Sequence, residues 1–231
     1  MLTSKDYARE RLSLISMDSA TRSTEIAAGK ALSKESVETT HYSVMDNQGN
    51  VVGITTTLNM SYGSKKVVDG AGFLLNNEMD DFSAKPGSPN GYGLIGGIAN
   101  EIQPGKRPLS AMTPVIIFDG DGDPLMATGS PGGSTIITVV LQVILNVLDF
   151  DMGIAEATAA SRIHHQWLPD RVGYEQGISI DTLNILKGMG HTLDNAPRVL
   201  GSTQTVSKGA QGGSIGASDT RRDGAGAAPQ N

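Results

Sequence analysis

Apolar positions in residues 4–16 are spaced as on one face of a helix, with Ser4 placed to cap it. Residues 18–38 (DSATRSTEIAAGKALSKESVE) are polar, charged and aperiodic, a composition that buries no core. Alternation then begins abruptly. Residues 40–46 and 51–58 read as two strands joined by a turn at Asn47-Gln48-Gly49-Asn50. Residues 59–109 are rich in loop formers, with the run KPGSPNGYG at 85–93, and surface loops of this length are often lids. A second hairpin is expected over 114–118 and 124–128, turning through DGDGD at 119–123. Residues 134–148 are apolar nearly all round, with Thr138, Gln142 and Asn146 as one narrow polar stripe, which predicts a helix packed on most sides. Helices at about 153–161 and 180–189, short strands within 202–217 and a polar tail at 219–231 complete the pattern. Hairpins interleaved with buried helices give a layered α+β fold.

Composition narrows the function. The 231 residues suffice for one sizeable domain or one and a half. A net charge of −6 argues against nucleic acid as a partner. The absence of cysteine excludes disulfides and thiolate metal sites. Residues 1–17 are charged rather than signal-like, and 134–148 is too short to span a bilayer, so a soluble protein or a soluble piece of one is expected.

The border between the polar stretch and the first strand carries Glu38-Thr39-Thr40. A hydroxyl residue there, preceded by dispensable chain, fits an autoproteolytic site. Cleavage after Glu38 would free the Thr39 α-amine to serve as the base for its own hydroxyl. The returning strand carries Thr55, Thr56 and Thr57, and alternation puts Thr55 and Thr57 on one face, where a hydroxyl could orient Thr39. A simple run of strand-forming residues explains these threonines equally well. Residues 129–134 (GSPGGS) form a glycine-rich loop opening a helix, so the amides of Gly132 and Gly133 could donate to a developing oxyanion. A phosphate loop, here without its lysine, and a plain helix start are the alternatives. The acids and amides of residues 76–82 (NNEMDDF) would suit a cationic group such as an α-ammonium, a divalent cation, or solvent.

Other motifs lead elsewhere. The 119–123 acids resemble a calcium loop without its closing glutamate and read as a hairpin turn. His164 and His165 are adjacent, so their side chains diverge. Ser130 lacks the G-x-S-x-G setting of a hydrolase nucleophile.

Six segments, in order, resemble the γ-glutamyltranspeptidases (glutathione hydrolases) of the N-terminal-nucleophile superfamily: TTHYSVMDNQGN from Thr39, TLN at 57–59, LLNNEMDDFSAKPG at 74–87, KRPLSAMTP at 106–114, GSPGGS at 129–134 and HHQWLPD at 164–170. The resemblance implies an α/β/β/α sandwich. Residues 1–38 would be the end of the large-subunit region and 39–231 the small, catalytic subunit. It implies cleavage between Glu38 and Thr39, Thr57 holding the nucleophile, and Gly132 and Gly133 as the oxyanion hole. Asn59, Glu78 and Asp81 would bind the substrate α-amino group, Ser110 its carboxylate, and Tyr92 in the lid would close over it. A γ-glutamyl donor such as glutathione, and water or an amino-acid or peptide acceptor, would be the substrates. No cofactor or metal is implied, the large-subunit region would complete a heterodimer, and the compartment would be periplasmic or extracellular.

Where the family carries Ser-Ser this chain has Ser110-Ala111, which leaves an acylase of other amides as a competing activity. Most of the large subunit is absent. The chain is therefore expected to be a fragment that neither matures nor turns over alone, and an inert binding remnant is the non-catalytic alternative.

Overall fold

The computed structural model describes residues 3–26, 39–90, 94, 96–210, 212–222 and 226. Glu38 and Tyr92 lie outside the described residues.

Helix α1 (Lys5–Leu12) starts as expected, with the Ser4 hydroxyl accepting from Tyr7 N at 3.2 Å. It ends well short of residue 16 and buries none of its side chains, so no packing rewards a longer helix. Strands β1 (Thr39–Met45) and β2 (Val51–Thr57) form the first hairpin, with Thr39 opposite Thr57. Strands β3 (Val115–Phe118) and β4 (Pro124–Thr128) form the second. The latter joins β7 (Gln204–Lys208) and β8 (Ser214–Ser218) in an antiparallel sheet of order β3-β4-β7-β8. A short pair, β5 (Ile163–His164) and β6 (Gly173–Tyr174), was not legible as strand pattern.

Helices α2 (Ile136–Leu148) and α3 (Ile154–Ala159) cover one face of this sheet, where Met126, Val143 and Ala157 meet in a core flanked by Ile117, Val147 and Met152. The β1–β2 hairpin packs on the other face, against β4 and β7. Helix α4 (Ile180–Gly188) lies beyond β6, its Ser179 cap accepting from Thr182 N. The result is helix, sheet and hairpin in three layers.

One expectation needs correction. Helix α2 is not packed on most sides. Val139, Val140 and Val143 are buried, but Ile137, Leu141, Leu145 and Leu148 stand exposed. Apolar character all round predicts burial only if an element covers each face, and among the described residues only one face is covered.

The sheet edge is closed by a buried ionic network. Arg162, 1% exposed, pairs with Asp219 at 2.7 Å and donates to the carbonyls of Thr158 and Leu200. Arg221 bridges Asp219 and Glu175 at 3.0 and 2.6 Å. No helix of the described residues is long and apolar enough to cross a membrane.

Candidate active site

Thr39 begins β1 with its side chain inward and only 9% of its surface exposed, whereas Thr40 faces out. The antiparallel register sets Thr57 directly across from it. The Thr57 hydroxyl accepts from Asn59 N at 2.9 Å, and Asn59, held at φ 73°, donates its side-chain amide to Asn77 O. From the C-terminal side, Arg222 Nη1 donates to Thr39 O at 2.7 Å.

Two residues along the same face, His41 ties this hairpin to the sheet. Ser43 Oγ donates to Gln204 O, so it accepts from His41 Nε2 at 2.9 Å. That leaves His41 Nδ1 as acceptor for the Thr55 hydroxyl at 2.7 Å. Burial pushes the His41 pKa down to about 4, so the ring is neutral at pH 7. Its ring occupies the space a side chain at Gly129 would need: a Cβ there would lie 2.3 Å from the imidazole. Thr55, on the face expected for a partner of Thr39, thus serves His41 instead.

Gly132 and Gly133 follow β4 and adopt φ of 141° and 57°, conformations open to glycine. The Gly132 carbonyl is fixed by the Thr135 amide and hydroxyl at 3.1 and 2.7 Å. Neither glycine amide has an acceptor among the described residues. Ser130 is fully buried, its hydroxyl donating to Pro131 O and accepting from Ser202 N.

The acids sit on a 3-10 turn (Glu78–Asp81). Burial, then the charge of Asp81 and a hydrogen bond to it, push the Glu78 carboxyl up to about 7. Asp81 is raised as well, by burial first and by Asp80, against the lowering effect of the bond from Glu78. Glu78 Oε1 is buried with no hydrogen-bond partner among the described residues. A pair in this condition gains from an incoming cation.

These elements converge on a cavity of about 220 Å³. Thr39, Thr57, Asn59, Asp81, Ser110 and Gly133 line it, whereas Glu78 and Gly132, also expected at the site, are not among its lining residues. Ala111, the departure noted beside Ser110, also lines it, as do Asp80, Ser83, Asn90, Asn100 and Ser134, to none of which the sequence reading gave a role. The wall is pinned by Asn100 Nδ2 to Asp81 O at 2.7 Å and Asn90 Nδ2 to Asp80 O at 3.2 Å. Ser110 presents an exposed hydroxyl that accepts from Met112 N. Among the described residues no group of three or more His, Asp or Glu side chains is placed to hold a metal ion.

The family model for gamma-glutamyltranspeptidase matches residues 1–229. The chain belongs to this family. The glutathione hydrolase proenzyme of Escherichia coli is 50% identical over 220 residues, which cover 95% of this chain and 38% of that protein. A crystal structure of a Helicobacter pylori gamma-glutamyltranspeptidase mutant matches with a TM-score of 0.75 at 50% identity, covering 79% of this chain and 100% of that one. A Pseudomonas nitroreducens gamma-glutamyltranspeptidase complexed with L-DON gives 0.75 at 44% identity, covering 83% and 100%. The chain thus spans well under half the length of the curated E. coli relative.

Membership makes the fold that of an N-terminal-nucleophile hydrolase, in agreement with the α+β layers seen here. The 119–123 acids form a hairpin turn as read, with Asp119 Oδ1 accepting from Asp121 N and Asp123 N. His164 is buried and bonds to Thr138, whereas His165 bonds to Asp170 on the surface.

Proposed function

We propose that this chain carries the catalytic centre of a γ-glutamyl amide hydrolase and transferase, with Thr39 as nucleophile. The observation that carries the reading is the meeting of Thr39, opposite Thr57, with Asn59, Asp81, Ser110 and the glycine helix start at Gly133 around one small cavity.

Maturation comes first. The Thr39 hydroxyl attacks the Glu38 carbonyl, the peptide C–N bond breaks, and the acyl group passes from nitrogen to oxygen. Water then cleaves the ester, leaving a carboxylate on Glu38 and a free amine on Thr39. In turnover that amine takes the hydroxyl proton as Thr39 attacks the γ-carbonyl of the donor. The Gly132 and Gly133 amides, which have no acceptor among the described residues, receive the oxyanion. The proton passes to the departing amine, and a γ-glutamyl ester remains on Thr39. Water or the amine of an amino acid or peptide then releases the glutamyl group. Asn59, Glu78 and Asp81 hold the donor's α-ammonium, Ser110 its carboxylate, and Tyr92 covers it.

Glutathione is a donor of this class, and the E. coli relative bears the name glutathione hydrolase proenzyme. We assign the part of that relative this chain does not span as the partner that completes the carboxylate subsite, and a periplasmic or extracellular location to the assembly. The test combines this chain with that region and follows it by mass spectrometry and by release of nitroaniline from a γ-glutamyl anilide. The expected result is a species beginning at Thr39 together with turnover, both absent in T39A. Turnover by T39A, or preference for anilides without a γ-glutamyl group, overturns the assignment.

A further inference from the structure

The HHQWLPD segment at 164–170 takes no part in the cavity, yet its loop is built around the chain upstream of Thr39. The segment leading there from α1 has no apolar anchor, and Ser23 is the one buried residue between 3 and 26 among those described. Ser23 is held at two points and Ile26 at one. Its amide donates to Asp170 Oδ2 at 2.8 Å, its carbonyl accepts from Trp167 Nε1 at 2.8 Å, and the same indole N–H reaches Ile26 O at 3.1 Å. A further bond, Ala20 N to Met189 O at 2.8 Å, fixes the segment just before it.

The loop also carries hydrogen bonds of its own. Trp167 N donates to His165 Nδ1 at 3.0 Å, which leaves the proton on Nε2 to bond Asp170 Oδ1 at 3.3 Å. Gln166 Nε2 donates to Leu168 O at 3.1 Å. Trp167 itself sits at φ 74°, a region a bulky residue adopts only when its surroundings fix it there. Burial would raise the Asp170 carboxyl, but the Ser23 amide and His165 together hold it below its ordinary range, which keeps it an acceptor. The indole N–H, the Asp170 carboxylate and the Met189 carbonyl thus meet backbone N–H and C=O groups of residues 20–26, at and around the 3-10 turn (Ser23–Glu25).

We infer that the 164–170 loop is a preformed clasp that retains the segment ending at Glu38 after the bond to Thr39 is cut. Its occupant is residues 20–26 of this chain, recognised through their backbone. The inference rests on the proposed scission, and its test is made independent of it.

A full chain carrying T39A, which cannot cut itself, receives a protease recognition sequence in place of residues 30–36. After external cleavage, native mass spectrometry measures retention of the N-terminal peptide. Trp167 is the only tryptophan, so its fluorescence reports release directly. S23P removes both the Ser23 N–H and its hydroxyl from Asp170, on the peptide side of the contact; proline fits there because Ser23 opens a 3-10 turn and Arg22 is extended at φ −65° and ψ 136°. The peptide is expected to stay bound, and S23P and W167F are each expected to weaken retention about tenfold. Should W167F fold poorly, S23P carries the test, since it leaves the loop untouched. A peptide that leaves the unsubstituted protein at once, or stays equally in S23P, overturns the clasp. Self-cutting by the unaltered Thr39 chain is scored separately.

Discussion

Glu78 holds its proton near neutrality because burial and Asp81 both disfavour its charge, and this single group yields two opposite pH effects. Its folded pKa of about 7 lies above the ordinary 4.5, so the folded state keeps a proton that the unfolded state gives up. Stability from this source is complete below about 4.5 and is lost as pH rises through 7. E78Q is therefore expected to raise the melting temperature at pH 8 relative to the parent and to leave it unchanged near pH 4.5. Binding runs the other way. An α-ammonium pairs only with the ionised acid, so KM for a γ-glutamyl amide should fall as pH rises through 7, and in E78Q it should be high and flat. Ala111 offers a second test at this scale. It lines the cavity beside Ser110, and A111S would add one hydroxyl toward a carboxylate, a change of ~1–2 kcal/mol that lowers KM roughly tenfold.

At the level of elements, the His41 ring of β1 packs directly against Gly129, where β4 leads into the glycine turn. G129A puts a methyl into that ring and is expected to cost about 1–3 kcal/mol in denaturant unfolding. H41A should relieve part of that cost, so the double variant falls short of the sum. Both hairpins, α2, α3 and α4 were legible in the sequence because their signals are local: alternation, turn residues and helical period. Residues of the candidate site were legible chiefly through the resemblance, since TLN, NNEMDDF and GSPGGS are short local segments that the family shares, while their own chemistry left alternatives open. The bond from Thr55 to His41 was not legible, because alternation gives the face of a residue but not which neighbour on that face it meets. Asn90 and Asn100 went unread since their bonds run to backbone carbonyls 10 and 19 residues away, where no pattern marks them.

Over the whole molecule, the parts invisible in sequence are those joined across long separations. Arg162 and Asp219 lie 57 residues apart, and nothing in either neighbourhood announces a buried ion pair. R162M is expected to cost about 3–5 kcal/mol, because it takes from the buried Asp219 carboxylate one of its two arginine partners and removes the donor to Leu200 O. The exposed side of α2 gives a contrasting pair: L141Q should change the stability of this chain by less than about 0.5 kcal/mol, while M126A, at the centre of the core, should cost about 2–5. The hold of Arg222 on the Thr39 carbonyl also fixes an order of events in time. Strands β7 and β8 and this arginine are the last described parts of the chain to leave the ribosome, and the nucleophile strand has neither its sheet nor its anchor until they emerge. On the proposed scission, the cut would wait for synthesis to pass residue 222. Combined with the region of the E. coli relative that this chain does not span, a chain ending at residue 218 should stay uncut under conditions where the chain through residue 231 is cut, as read by mass spectrometry.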